Sequence, residues 1–148
     1  GGDVDEWGVT GLLHDFDYEM YPTLEEHPYK GNKILKEKGY PESVCRAIMG
    51  HATYSGVPRD TDMAKALFAV DELTGFIFAV TYVRPSRSIQ EVTPRSVKKK
   101  LKQKSFAASV NRDDIFQSVE ELSVDLTEHI QFVIDALVEK AHELGLAG

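Results

Sequence analysis

The chain has 148 residues, 42% of them hydrophobic and 28% charged, with a net charge of −7 at neutral pH. That length supports one domain with a core of ordinary size. No apolar run nears the roughly 18 residues needed to span a bilayer, and the acidic balance argues against general nucleic-acid binding.

The single cysteine, Cys45, excludes an intrachain disulfide and fits a reducing, cytoplasmic compartment. Helical periodicity dominates, so an all-α fold is expected. Asp3 is placed to cap a first helix reaching about His14, with Val4, Trp7, Gly11 and His14 on one stripe. The loop DFDYEMYPTLEE follows. Pro28 suits the first turn of a second helix, which runs to about Lys38 and stops at Gly39. Pro41 opens a third, to about Ala52, and the intervening GYP reads as a helix–helix turn.

After the loop TYSGVPRDT, Asp60 or Thr61 caps a long helix reaching about Val83. FIFAVTYV within it is β-prone, but it continues the helical stripe of Ala64, Leu67, Phe68, Asp71, Gly75 and Phe78. RPSRS is a turn. Thr93 followed by Pro94 starts a short basic helix, and Asn111 caps the next. Asp125 and Glu128 are spaced as a capping box for a last helix ending near Leu144.

Charge is unevenly spread. Between Arg84 and Lys104 lie eight cations and one acid, Glu91, a local excess of +7 that leaves −14 on the rest of the chain. Such a run is either a solvated helix face or a collar that draws in an anionic substrate.

Several polar residues fall on apolar faces. His51 follows Val44 by seven positions and Ile48 by three. Asp71 follows Leu67 by four and Phe68 by three. His27 precedes Gly31, Ile34 and Leu35 on their stripe, and His14 ends the stripe led by Trp7. One buried His usually satisfies a backbone carbonyl, but an unpaired buried carboxylate costs several kcal/mol. Three His and two Asp turned inward are therefore expected to meet. Imidazole plus carboxylate suits Fe, Mn, Zn, Co or Ni more than Ca or Mg alone. A carboxylate also bridges two ions, and ions roughly 4 Å apart clamp a phosphoryl group and activate a water. His129 and His142 read as surface or packing residues.

GLLHDFD (His14, Asp15), EHPYKG (His27), IMGHA (His51) and FAVDELTG (Asp71), in that order, resemble the HD-domain superfamily of metal-dependent phosphohydrolases. The match covers about residues 5–80, and the context is similar to a subgroup of small bacterial HD proteins. The resemblance implies an HD-type helical bundle over 1–148, with a metal-site core at about 5–83 and a helical extension at about 84–148.

It further implies one or two divalent metals, Mg being admitted beside the transition metals. His14, Asp15 and Asp71 would hold one ion, and His27 and His51 the second. Asp15, bridging, would be the catalytic ligand. The expected activity is hydrolysis of a small phosphorylated compound, such as a nucleotide, by a metal-activated water, with Arg84, Arg87 or Lys98 receiving phosphate. A non-catalytic module and a di-iron oxygenase of the same fold are the alternatives.

No His precedes His14, so the family's leading His is absent. Asp17 and Tyr18 stand where many members carry Gly and Lys. The abrupt start GGDVDEWG suggests truncation. Part of the core is then either missing or supplied by a partner chain, which admits a homo-oligomer.

Overall fold

The computed structural model describes residues 2–148. The fold is all-α. The helices are α1 (Val4–Leu13), α2 (Tyr29–Glu37), α3 (Glu42–His51), α4 (Asp62–Tyr82), α5 (Pro94–Leu101), α6 (Arg112–Leu122) and α7 (Leu126–Glu139). The β-prone FIFAVTYV stretch lies at the end of α4, almost wholly helical. Among the described residues none of these helices is long and apolar enough to cross a membrane.

The chain divides into two compact units, Gly1–Phe68 and Ala69–Gly148. The division falls inside α4, whereas the sequence pattern suggested a change at about residue 83, where that helix ends. The difference arises because α4 serves two cores in succession. Met63 and Ala64 belong to the first, and Leu73, Phe76, Ile77 and Val80 to the second.

In the first unit α3 packs against α1 and α2. Val44, Cys45, Ala47 and Ile48 of α3 join Leu35 of α2, with Leu13, Phe16 and Tyr40 alongside. The Asn32 amide is buried and donates to the Cys45 carbonyl at 2.7 Å, so its polarity is matched.

Asp3 caps α1 as its spacing implies, but the helix faces elsewhere than expected. Val4 is 83% and Leu12 80% exposed, and the buried residue of α1 is Thr10. The inward face lies about a quarter-turn from the Val4–Trp7–Gly11 stripe, at 100° per residue. Its polar groups are matched there. Thr10 Oγ1 donates to the Glu6 carbonyl at 2.8 Å and sits 3.4 Å from Met63 Sδ, while the Glu6 carboxylate accepts from Ser43 Oγ on α3.

Thr61 Oγ1 accepts from the Ala64 N–H at 3.2 Å and caps α4. Just before it, Arg46 and Asp60 form a two-point ion pair with contacts of 3.3 and 2.8 Å. The bond from Arg46 holds the Asp60 carboxyl below the usual carboxylate range. A carboxyl depressed on folding adds stability above its unfolded pKa and loses it as pH falls through the folded one. Asp60→Asn is therefore expected to lower stability slightly at neutral pH and to converge with wild type in acid. Urea midpoints measured from pH 7 downward check this, and a constant gap at every pH would contradict it.

The second unit is built on Leu73, Phe76, Ile77 and Val80 of α4, Val97 and Leu101 of α5, Ile115 of α6, and Ile130, Val133 and Ile134 of α7. Local caps start its helices. Thr93 Oγ1 accepts from Ser96 N–H while Ser96 Oγ accepts from Thr93 N–H. Asn111 accepts from Asp114 N–H, and Asp125 from Thr127 and Glu128 N–H. α7 ends at Glu139, before the expected Leu144. The chain turns there because Leu146 is fully buried and its N–H bonds the Ala141 carbonyl at 2.8 Å. Gly145, at φ +68°, permits that turn.

Candidate metal centre

The first unit gathers His14, Asp15, His27 and His51 around one carboxylate. His14 is the C-cap of α1, and Asp15 opens the chain of turns that follows. Phe16, packed on the core, anchors those turns. His27 lies in the turn ahead of α2 rather than on that helix's stripe, its N–H bonded to the Thr23 carbonyl at 2.9 Å. His51 is the last residue of α3 and is buried with Val44 and Ile48.

Distances converge on Asp15. His51 Nε2 is 3.2 Å and His27 Nε2 3.3 Å from Oδ1, and His14 Nε2 is 3.5 Å from Oδ2. One ligand atom each of Asp15, His27 and His51 lies within 4.8 Å of the others. The His27 and His51 side chains are 6% exposed, whereas Asp15 is 49% exposed. The wall is buried and the cluster opens at the carboxylate.

The hydrogen bond from His51 lowers the Asp15 carboxyl pKa. Partial burial opposes this, and the charges of His14, His51 and His27 reinforce it.

The other ring nitrogens settle what these imidazoles offer. His14 Nδ1 is 2.7 Å from the Gly11 carbonyl, and His51 Nδ1 bonds the Ile48 carbonyl. His27 Nδ1 is 2.8 Å from Asp17 Oδ1. A carbonyl only accepts, so Nδ1 must donate in His14 and His51, and the Asp17 carboxylate calls for the same in His27. This leaves three Nε2 atoms turned toward the carboxylate: carrying a proton, each donates to it, as His51 does, and without one, each offers a lone pair to a cation lying between.

The spacing suits such an ion. Two ligand atoms about 2.05 Å from one tetrahedral ion are about 3.3 Å apart, matching the 3.2 and 3.3 Å separations. The residues therefore fit a metal, with two histidines on one Asp15 oxygen and the third on the other.

Asp17 is the residue that sequence reasoning did not assign. It is 1% exposed. One oxygen accepts a hydrogen bond from His27 Nδ1–H and the other accepts from the Gly31 N–H, each at 2.8 Å. A buried carboxylate behind a ligand histidine fixes its tautomer and raises its basicity. Gly31 makes room for it, since a Cβ there would lie 2.5 Å from Asp17 Cγ. The Tyr54 hydroxyl also donates to the His27 carbonyl at 2.8 Å. The signal in the sequence is a second Asp two positions after Asp15 and a Gly four after His27.

Comparison with family models, curated proteins and solved structures found no match to this chain.

The other expected site residues lie in the second unit. Asp71 is half-buried in α4. Arg84 Nη1 is 3.7 Å from Glu91 Oε2, Arg87 is exposed at φ 50°, and Lys98 Nζ donates to Thr127 Oγ1 at 3.0 Å. His129 is a packing residue, buried with Nε2 2.8 Å from the Ala69 carbonyl, and His142 is exposed.

Proposed function

We infer that the protein is a metal-dependent phosphohydrolase of the HD type, acting on a small phosphorylated compound. The observation that supports this is the set of three Nε2 atoms directed at the two oxygens of Asp15, each ring held from behind by an acceptor. A divalent transition metal bound there supplies Lewis-acid chemistry, acidifying water and neutralising phosphoryl charge.

In this reading the chain's residues have separate tasks. His27 and His51 present neutral nitrogens from a buried wall. Asp15 offers one oxygen to them and the other toward His14, as a bridging ligand does, and its exposure leaves the site open to an anionic substrate. Asp71 is proposed as a further carboxylate ligand on the strength of the resemblance and its place on the α4 stripe. Arg84 and Arg87 remain proposals for phosphate contacts.

Elemental analysis of protein purified without chelator is expected to find close to one or two transition-metal ions per chain. The metal-loaded protein is expected to release phosphate from a panel of mono- and diesters equally well with and without oxygen. Absence of bound metal, or metal without phosphate release, would sink the reading. Asp71→Asn is expected to lower the metal content and His129→Ala to leave it unchanged.

A further inference from the structure

α5 carries a second chemistry, unrelated to the histidine cluster. Arg95, Lys98, Lys99 and its C-cap Lys102 stand at i, i+3, i+4 and i+7, so they share one face. The opposite face, with Val97 and Leu101, is buried. With Thr127 from the first turn of α7, these four cations line a cleft of about 410 Å³. Among the described residues no acidic side chain lines it. Asp125, whose carboxylate feels the Lys98 charge, is engaged as the cap of α7.

The fold does not account for this stripe. Like charges three and four residues apart weaken a helix, and an eight-residue helix has little stability of its own. Lys100, off the stripe, is used structurally: it bonds Gln103 and lies over the Phe106 ring at 4.6 Å. Among the described residues Arg95, Lys99 and Lys102 make no ion pair.

The occupant is limited by shape and charge. The stripe is about 10 Å long at 1.5 Å per residue, longer than one phosphoryl group and comparable to two or three in a row. The exposed large hydrophobic residues do not include any of α5, so the helix lacks the apolar face that a lipid surface requires. A chain of net charge −7 is poorly suited to long nucleic acid. A cleft lined by four cations and one hydroxyl suits a small ligand carrying several negative charges. We propose that the α5–α7 cleft binds a small linear polyanion bearing two or three phosphoryl groups.

Titration calorimetry at matched ionic strength tests this with inorganic tripolyphosphate and orthophosphate. Wild type is expected to bind tripolyphosphate well above orthophosphate. Lys99→Ala/Lys102→Ala should weaken it about tenfold or more, Lys99→Arg/Lys102→Arg should retain it, and Lys33→Ala on α2 should stay within about twofold. Equal affinity in wild type and the double alanine variant overturns the proposal, including the case in which the anion is held by metal at the histidine cluster. So does no measurable tripolyphosphate binding. An RNA oligonucleotide that binds more tightly than tripolyphosphate and loses affinity in the same variant overturns the small-ligand assignment.

Discussion

Asp15→Ala is expected to strip most of the transition metal from the protein, because each ion forfeits a charged ligand. The carboxylate is the point on which three imidazoles converge, and it faces His27 and His51 with one oxygen and His14 with the other. Removing one histidine leaves the carboxylate and two rings. Removing the carboxylate leaves the three imidazoles without the anionic ligand they share, and Asp71, as proposed above, as the one remaining carboxylate to offset the ion's charge.

Stability of the metal-free protein should fall as well, but only slightly. Without metal, the bond from His51 and the neighbouring imidazoles still favour the Asp15 carboxylate in the folded chain, so Asp15→Ala is expected to unfold somewhat below the wild-type apo temperature at neutral pH. Elemental analysis with calorimetry of apo and loaded protein checks both halves. A variant that keeps its metal would rule out Asp15 as the shared ligand.

The second large effect is expected one layer behind. Asp17→Ala leaves the His27 Nδ1–H and the Gly31 N–H in the interior without the carboxylate that accepts both. Each unsatisfied buried donor costs about 1–3 kcal/mol, so a loss of about 2–6 kcal/mol is expected for the two. Metal affinity should fall about 10- to 100-fold, the usual effect of removing the partner behind a ligand histidine.

Gly31→Ala should resemble it although it removes no polar group, because the new Cβ would occupy the space of the Asp17 carboxyl, 2.5 Å from Cγ and Oδ2. Competition against a metal chelator, with urea unfolding of the apo proteins, separates the two effects. Wild-type affinity in both variants would show that Asp17 supports the fold without tuning His27.

Local physics made much of this molecule legible. Asp3, Thr93, Asn111 and Asp125 each satisfy N–H groups within three residues of themselves, so their caps follow from spacing alone. The period of the apolar residues placed Val44, Ile48 and His51 on one side of α3. It also kept the β-prone end of α4 helical, where Ile77 and Val80 reach the core and Phe78 packs against it.

What the sequence by itself determined, then, was the all-α class, the helix starts and the choice of His14, Asp15, His27 and His51 as residues worth watching. Tertiary structure alone decided how α1 faces, where α7 turns, that α4 serves two cores, and that the buried carboxylate of Asp17 lies behind His27. Several of those outcomes depend on groups far apart in the chain, such as Asp17 with His27, 10 residues on, and Thr10 with Met63, 53 residues on. Periodicity tells which side of a helix is apolar. Which polar atoms will meet there depends on long-range packing, where each buried donor must find its acceptor.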